Sequence, residues 1–109
     1  MSVFAIETYV VRAEKADEFD PALQEFLAFK DAHPDLFAGL RSWHLYRQEY
    51  GGVAGLYMEV WEFDDLAGME EANARVFADE TMKGISRGFH QLVEPATFST
   101  SIWRPVATR

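Results

Sequence analysis

The stretch Leu56-Tyr-Met-Glu-Val-Trp-Glu-Phe63 alternates strictly between two kinds of side chain. Leu56, Met58 and Val60 fall on one side and Tyr57, Glu59 and Trp61 on the other, which is the period of a β-strand. One side is aliphatic. The other is aromatic with a carboxylate, an odd set to bury unless it lines something. Val3 to Val11 repeats the pattern, with Phe4, Ile6 and Val10 opposite Ala5, Glu7 and Tyr9. Leu40 to Glu49 predicts a second strand, with Ser42, His44, Tyr46 and Gln48 on one face and Arg41, Trp43, Leu45 and Arg47 on the other. Thr97 to Trp103 predicts the last strand, with Phe98, Thr100 and Ile102 opposite Ser99, Ser101 and Trp103.

The segments between change period. From Lys15 to about His33, the residues Phe19, Leu23, Phe26, Leu27 and Lys30 recur at helical spacing. Asp17 is the expected N-cap, with Asp20-Pro21 as a competing start. Pro34 ends this helix, and His33 just before it is placed to cap the negative end. Tyr50-Gly-Gly-Val is a hairpin signal, because paired glycines accept positive φ. Asp64-Asp65 caps a second helix whose inner face is Leu66, Met69, Asn73, Val76 and Phe77. Asp79 predicts a break near Ala78. Met82, Ile85, Phe89, Leu92 and Val93 then continue the apolar stripe until Pro95 stops it. The order strand, helix, strand, strand, helix, strand is the split βαβ arrangement of a ferredoxin-like α+β fold. Its sheet is expected to be antiparallel with both helices on one face. Residues 1–104 are expected to form one domain and 105–109 a tail.

Composition narrows the function classes. A chain of 109 residues, 49% hydrophobic and 26% charged, suits one globular domain. The absence of cysteine removes disulfides, thiolate nucleophiles and cysteine metal sites, and is compatible with the reducing cytoplasm in which the chain is expected. The start shows no signal-peptide pattern, and no apolar run approaches the roughly 20 residues that span a bilayer. A net charge of −8 repels phosphate backbones, so neither nucleic acid nor a membrane is an expected partner. His33, His44 and His90 sit in separate elements without metal-ligand spacing, and no glycine-rich phosphate loop follows a strand.

The two sheet faces differ in kind. Phe4, Ile6, Val10, Leu45, Met58, Val60, Phe98 and Ile102 match the apolar helix stripes and are expected to face the helices. The opposite face then carries Glu7, Tyr9, Ser42, His44, Tyr46, Tyr57, Glu59, Trp61, Ser99, Ser101 and Trp103, too aromatic a set for open solvent. Two such sheets placed face to face would cover each other and enclose a cavity. A homodimer is therefore expected.

Phe4-Ala-Ile-Glu-Thr-Tyr9, the helix with Glu18-Phe19, and Tyr57-Met-Glu-Val-Trp-Glu-Phe-Asp-Asp-Leu66 resemble the dimeric α/β barrel superfamily, and within it the small NIPSNAP-like and antibiotic-biosynthesis-monooxygenase-like proteins. With the last strand, the resemblance spans nearly the whole chain, at the level of fold rather than of a catalytic signature. It implies a homodimer whose two sheets close into a barrel, with any site inside the barrel or between sheet and helices. Cofactor-independent monooxygenases, isomerases, dehydratases and haem-degrading enzymes belong to that superfamily, so fold does not set function. The haem-degrading branch resembles the chain less: Met69 and Ser86 fall near its tryptophan and histidine positions, and His90 lies one turn later. No cofactor is expected.

The candidate chemistry lies on the polar-aromatic face. His44 is the expected general base, with Glu59 on the neighbouring strand orienting it. Glu7 and Glu59 lie on strands expected to be adjacent and parallel, where two buried carboxylates raise one pKa; Arg12, Arg41 or Arg104 could neutralise them instead. Glu7, Tyr9, Tyr46, Tyr57, Trp61 and Trp103 are the expected substrate-binding residues for a small apolar or aromatic molecule. The resemblance implies cofactor-free oxidation or isomerisation of it. The alternative is a non-catalytic ligand-binding or homodimeric assembly module, whose aromatic face is interface packing. A cavity of around 300 Å³ or more favours the first reading.

Overall fold

The computed structural model describes residues 2–109. Four strands, β1 (Val3–Val10), β2 (Leu40–Arg47), β3 (Leu56–Phe63) and β4 (Ser99–Trp103), form one sheet in the order β2-β3-β1-β4. Every neighbouring pair is antiparallel. Three helices, α1 (Ala16–Ala32), α2 (Leu66–Ala78) and α3 (Glu80–His90), complete an α+β ferredoxin-like fold. β1 and β3 are adjacent, as expected, but antiparallel rather than parallel.

Helix ends follow local chemistry. Asp65 accepts the Gly68 N–H at 2.7 Å and starts α2. Asp79 has an extended backbone, φ −75° and ψ 129°, which ends α2, and its carboxylate accepts the Met82 N–H at 2.9 Å to start α3. The expected break near Ala78 is therefore a shared cap. α1 starts earlier than Asp17: Lys15 is its N-cap without a side-chain bond, after a 3-10 turn over Ala13–Lys15, and Pro21 lies inside the helix. His33 Nδ1 donates to the Phe29 carbonyl at 2.9 Å, and its ring stacks on that of Phe29 at the helix end. Beyond Gln48, the hairpin loop is longer than the glycine pair predicts. Of the pair, Gly51 takes a positive φ, +140°, and Gly55 takes another, +80°, where its backbone abuts the end of β1 and a Cβ would stand 3.2 Å from the Val11 carbonyl oxygen.

The core shows which sheet face the helices cover. Val3, Ala5 and Phe63 pack with Met69 and Ala72; Tyr9 and Val11 pack with Phe19 and Val93. Phe29 and Phe37 meet Val76 and Met82. Burying each large apolar side chain fully contributes roughly 1.5–3 kcal/mol. The helix side of β1 and β3 is therefore the set with Ala5, Glu7, Tyr9, Tyr57, Glu59 and Trp61. Phe4, Ile6, Val10, Met58 and Val60 point the other way. This reverses the expectation for the two central strands. On the edge strands the expectation stands: Leu45 and Phe98 join the helix-side core, and Ile102 lines a helix-side cavity. The register shift between Leu40 and Ser42 marks a bulge at Arg41, which lets Leu40 and Trp43 reach the same side.

Candidate functional site

A cavity of about 230 Å³ opens between the sheet and the helices. β1 contributes Glu7 and Tyr9, β2 contributes Trp43, and β3 contributes Glu59 and Trp61. α1 closes one wall with Phe19, Ala22, Leu23 and Phe26. Phe77 of α2 and Met82, Ile85, Ser86, Phe89 and His90 of α3 close the other, with Phe98 at the start of the last strand. The walls are largely apolar, and the polar groups converge on the sheet.

Glu7 and Glu59 are direct cross-strand partners. Side chains opposite one another in an antiparallel pair have Cβ atoms about 4.5–5.5 Å apart, so the two carboxyls share one neighbourhood. They are held differently. Tyr9 donates its hydroxyl to Glu59 at 2.6 Å, and Trp43 Nε1 donates to the other carboxylate oxygen at 3.1 Å. Glu7 has a single weak partner, the Thr100 hydroxyl at 3.4 Å. Among the described residues neither meets a cation: Arg12 and Arg41 pair with Glu14 and Asp64 instead.

The titration behaviour follows from that asymmetry. Burial raises the Glu59 pKa, and the hydrogen bonds from Tyr9 and Trp43 offset part of the rise. Burial, then the charge of Glu59, pushes Glu7 up to about 7. The repulsion falls on Glu7 because Glu59, with two firm donors, ionises first. Burial, followed by the Glu59 charge and their hydrogen bond, raises Tyr9 far above the usual phenol, which keeps it a neutral donor. Trp61 Nε1 lies near both carboxylates and acts to lower their pKa values, yet it is buried and makes no hydrogen bond among the described residues. A buried orphan donor of this kind calls for an explanation.

The structure brings together half of the expected site. Glu7, Tyr9, Glu59 and Trp61 line the cavity. Tyr57 sits behind it, 4.5 Å from the Phe19 ring and 6.1 Å from that of Tyr9. His44, Tyr46 and Trp103 lie on the far side of the sheet. His44 is paired with Val60, not Glu59, and its ring lies 6.1 Å from Tyr46. Trp103 is exposed and donates to its neighbour Ser101 at 2.7 Å. His44 and Glu59 therefore cannot act as a base and its orienting partner: one residue of register sends their side chains to opposite faces. Trp43 occupies the place beside Glu59 that the alternation had assigned to His44. Phe19, Phe26 and Phe77 read in the sequence only as helix stripes, and Ser86 and His90 only as a family alignment. Among the described residues no three or more His, Asp and Glu side chains form a metal-binding group, and no helix is long and apolar enough to cross a membrane.

No protein-family model matches the chain, and no curated protein matches its sequence. Solved structures do share its ferredoxin-like α+β fold. A NIPSNAP family protein from Agrobacterium tumefaciens superposes with a TM-score of 0.76 at 17% identity, over 96% of this chain and 86% of the other. A candidate antibiotic biosynthesis monooxygenase from Caulobacter crescentus gives 0.73 at 14% identity, over 97% and 91%. SnoaB, a cofactor-independent oxygenase from Streptomyces nogalater, gives 0.70 at 16% identity, over 98% and 95%. The expected likeness to NIPSNAP-like and antibiotic-monooxygenase-like proteins is thus present in three dimensions, as likeness of fold.

Proposed function

We propose that this chain takes a small planar aromatic molecule into the sheet–helix cavity and acts on it by proton transfer at the Glu7–Glu59 pair. The observation that carries the reading is this carboxylate pair, without a cation among the described residues, facing an apolar aromatic cavity beside a Trp61 N–H that has no partner among them. At about 230 Å³ the cavity falls short of the roughly 300 Å³ expected for this reading, but it exceeds the about 150 Å³ apolar void that admits benzene. It suits one or two fused rings. Trp61 Nε1 supplies a hydrogen bond to a ring oxygen, and Glu7, poised near neutral pH, exchanges a proton with an adjacent O–H or acidic C–H. Cofactor-free oxidation and isomerisation both begin with that step. SnoaB, a cofactor-independent oxygenase of the same fold, is consistent with it.

The test begins with 2-naphthol as a fluorescent probe, followed by a screen of hydroxylated bicyclic compounds under air. Binding with turnover that falls on Glu7→Gln and on Glu59→Gln supports the proposal. Turnover unchanged in both variants overturns the proton-transfer role. Binding without any turnover leaves the chain a ligand-binding module. His44→Ala is expected to leave binding and turnover intact, because its side chain lies across the sheet.

A homodimer is proposed as well, on a separate observation. The sheet face away from the helices presents Phe4, Ile6, Val10, Met58 and Val60 with no covering element, flanked by half-exposed Tyr46 and Trp103. A second copy laid on this face would cover both aliphatic sets. Its polar rim holds Glu62, which accepts from Ser2 at 2.8 Å and Ser42 at 2.9 Å.

A further inference from the structure

A second cavity, of about 90 Å³, lies next to the first. Glu7, Trp61 and Phe77 line both and stand between them. Glu7 and Trp61 are anchored in the central strands, but Phe77 is not anchored in the same way. It sits in the last turn of α2, two residues before the Asp79 break, is about half exposed, and belongs to none of the three buried clusters. A half-exposed phenylalanine between two chambers is a partition, not core. The second chamber is mostly apolar, with Ala5, Phe63 and Val76 in its walls, but Asn73 and Thr100 place an amide and a hydroxyl within it. It has room for more than one water, and for the end of a ring system rather than for a whole ligand.

We infer that the second chamber is an extension subsite for an elongated planar molecule, and that Phe77 sets the length accepted by closing it. This rests on the aromatic-ligand reading of the first chamber. A ligand confined to the first chamber stops at the Phe77 ring. A longer one of the same width passes it only when the ring swings outward or is removed, and its far end then meets Asn73 and Thr100. Phe77 is a specificity-determining residue here and takes no part in proton transfer.

The experiment compares 2-naphthol with its three-ring homologue 2-anthrol on the wild-type chain and on Phe77→Ala, by fluorescence titration. The wild type should prefer 2-naphthol. Phe77→Ala should shift the preference toward 2-anthrol over 2-naphthol by about tenfold or more, since 2-naphthol loses the Phe77 wall while the added ring of 2-anthrol finds space, a gain of this order. Adding Asn73→Leu to Phe77→Ala should leave 2-naphthol unaffected and alter the binding of a three-ring compound hydroxylated at its far end. Circular dichroism and urea unfolding of each variant check that the fold is kept. Binding of 2-naphthol by both proteins with an unchanged size preference overturns the partition role and spares the aromatic-ligand reading. Failure of the wild type to bind any ring compound overturns that reading, and this inference with it.

Discussion

Glu7 stands directly across from Glu59 on adjacent antiparallel strands, and both side chains line the same cavity. A like-charged pair in that position destabilises a sheet unless one member is protonated or both are neutralised. No cation neutralises this pair among the described ion pairs, and Glu7 is the member whose pKa is pushed up to about 7.

Stability should therefore fall with rising pH in a defined window. The Glu7 carboxyl ionises near 4.5 in the unfolded chain and near 7 in the folded one. Between those values the folded state holds more protons than the unfolded state, so the contribution present below pH 4.5 is lost as pH rises through about 7. A shift of this size corresponds to roughly 3–3.5 kcal/mol at most. Glu7→Gln should flatten most of the slope and raise stability at pH 8, leaving a residual slope from Glu59, whose pKa is also raised. Urea unfolding from pH 4 to 8 measures both curves. Parallel curves for the two proteins would show that Glu7 is not the buried titrating group.

The Tyr9–Glu59 bond should govern which carboxylate ionises first. Tyr9→Phe removes the 2.6 Å donor and leaves only Trp43 on Glu59. The Glu59 pKa should then rise further, toward that of Glu7, and the fold should lose roughly 1–3 kcal/mol for the partly orphaned buried acceptor. Carbon-13 carboxyl titration of the labelled variant reads the pKa directly. An unmoved Glu59 titration would mean that the hydrogen bond does not set its charge state.

Element order and many boundaries were legible in the chain, because strand alternation and the Asp65 and Asp79 caps are local signals. The end of α3 was not: it stops at His90, short of the Val93 to which the apolar stripe runs, and Pro95 opens a 3-10 turn instead of ending that helix. Which face of the central strands meets the helices was not legible either. Alternation groups Glu7 with Tyr9, and Tyr57 with Glu59 and Trp61, but it does not say which group is covered. The aliphatic group looked like core by polarity alone. In the structure the aromatic group takes that place, because Tyr9 and Trp43 satisfy Glu59, Phe19 packs on Tyr57, and Phe26 packs on Trp61. With both faces apolar, the choice rests on long-range partners spread across three helices. The same inversion moved His44 away from Glu59 and put Trp43 beside it. The edge strands β2 and β4 were easier, since serines mark one face of each.

The uncovered aliphatic face makes the proposed dimer easy to test. Ile6 and Val60 are cross-strand partners near the middle of that face. Ile6→Glu with Val60→Glu would set two carboxylates against the second copy, and should convert a dimer to a monomer in light scattering. The helix-side cavity, on the other surface, should keep its probe binding. A wild-type chain that is monomeric at every workable concentration would overturn the dimer and leave the face to another partner.

Trp61 offers a test that separates binding from packing. Its indole packs at 5.7 Å from the Phe26 ring and 6.1 Å from Trp43, while its N–H is buried with no partner. Trp61→Phe loses some of that packing but also removes a desolvated donor, a group whose burial alone costs about 1–3 kcal/mol. The two terms oppose each other, so unfolding stability should change little. Ligand recognition should change more. If the N–H awaits a ring oxygen, the wild type binds 2-naphthol more tightly than naphthalene by up to about tenfold, the value of one buried hydrogen bond. In Trp61→Phe that preference should vanish while naphthalene binding holds. Comparing two ligands on two proteins cancels the packing change common to both ligands. An equal loss for naphthalene and 2-naphthol would show that Trp61 acts as an apolar wall only, and that the oxygen of the ligand is recognised elsewhere in the cavity.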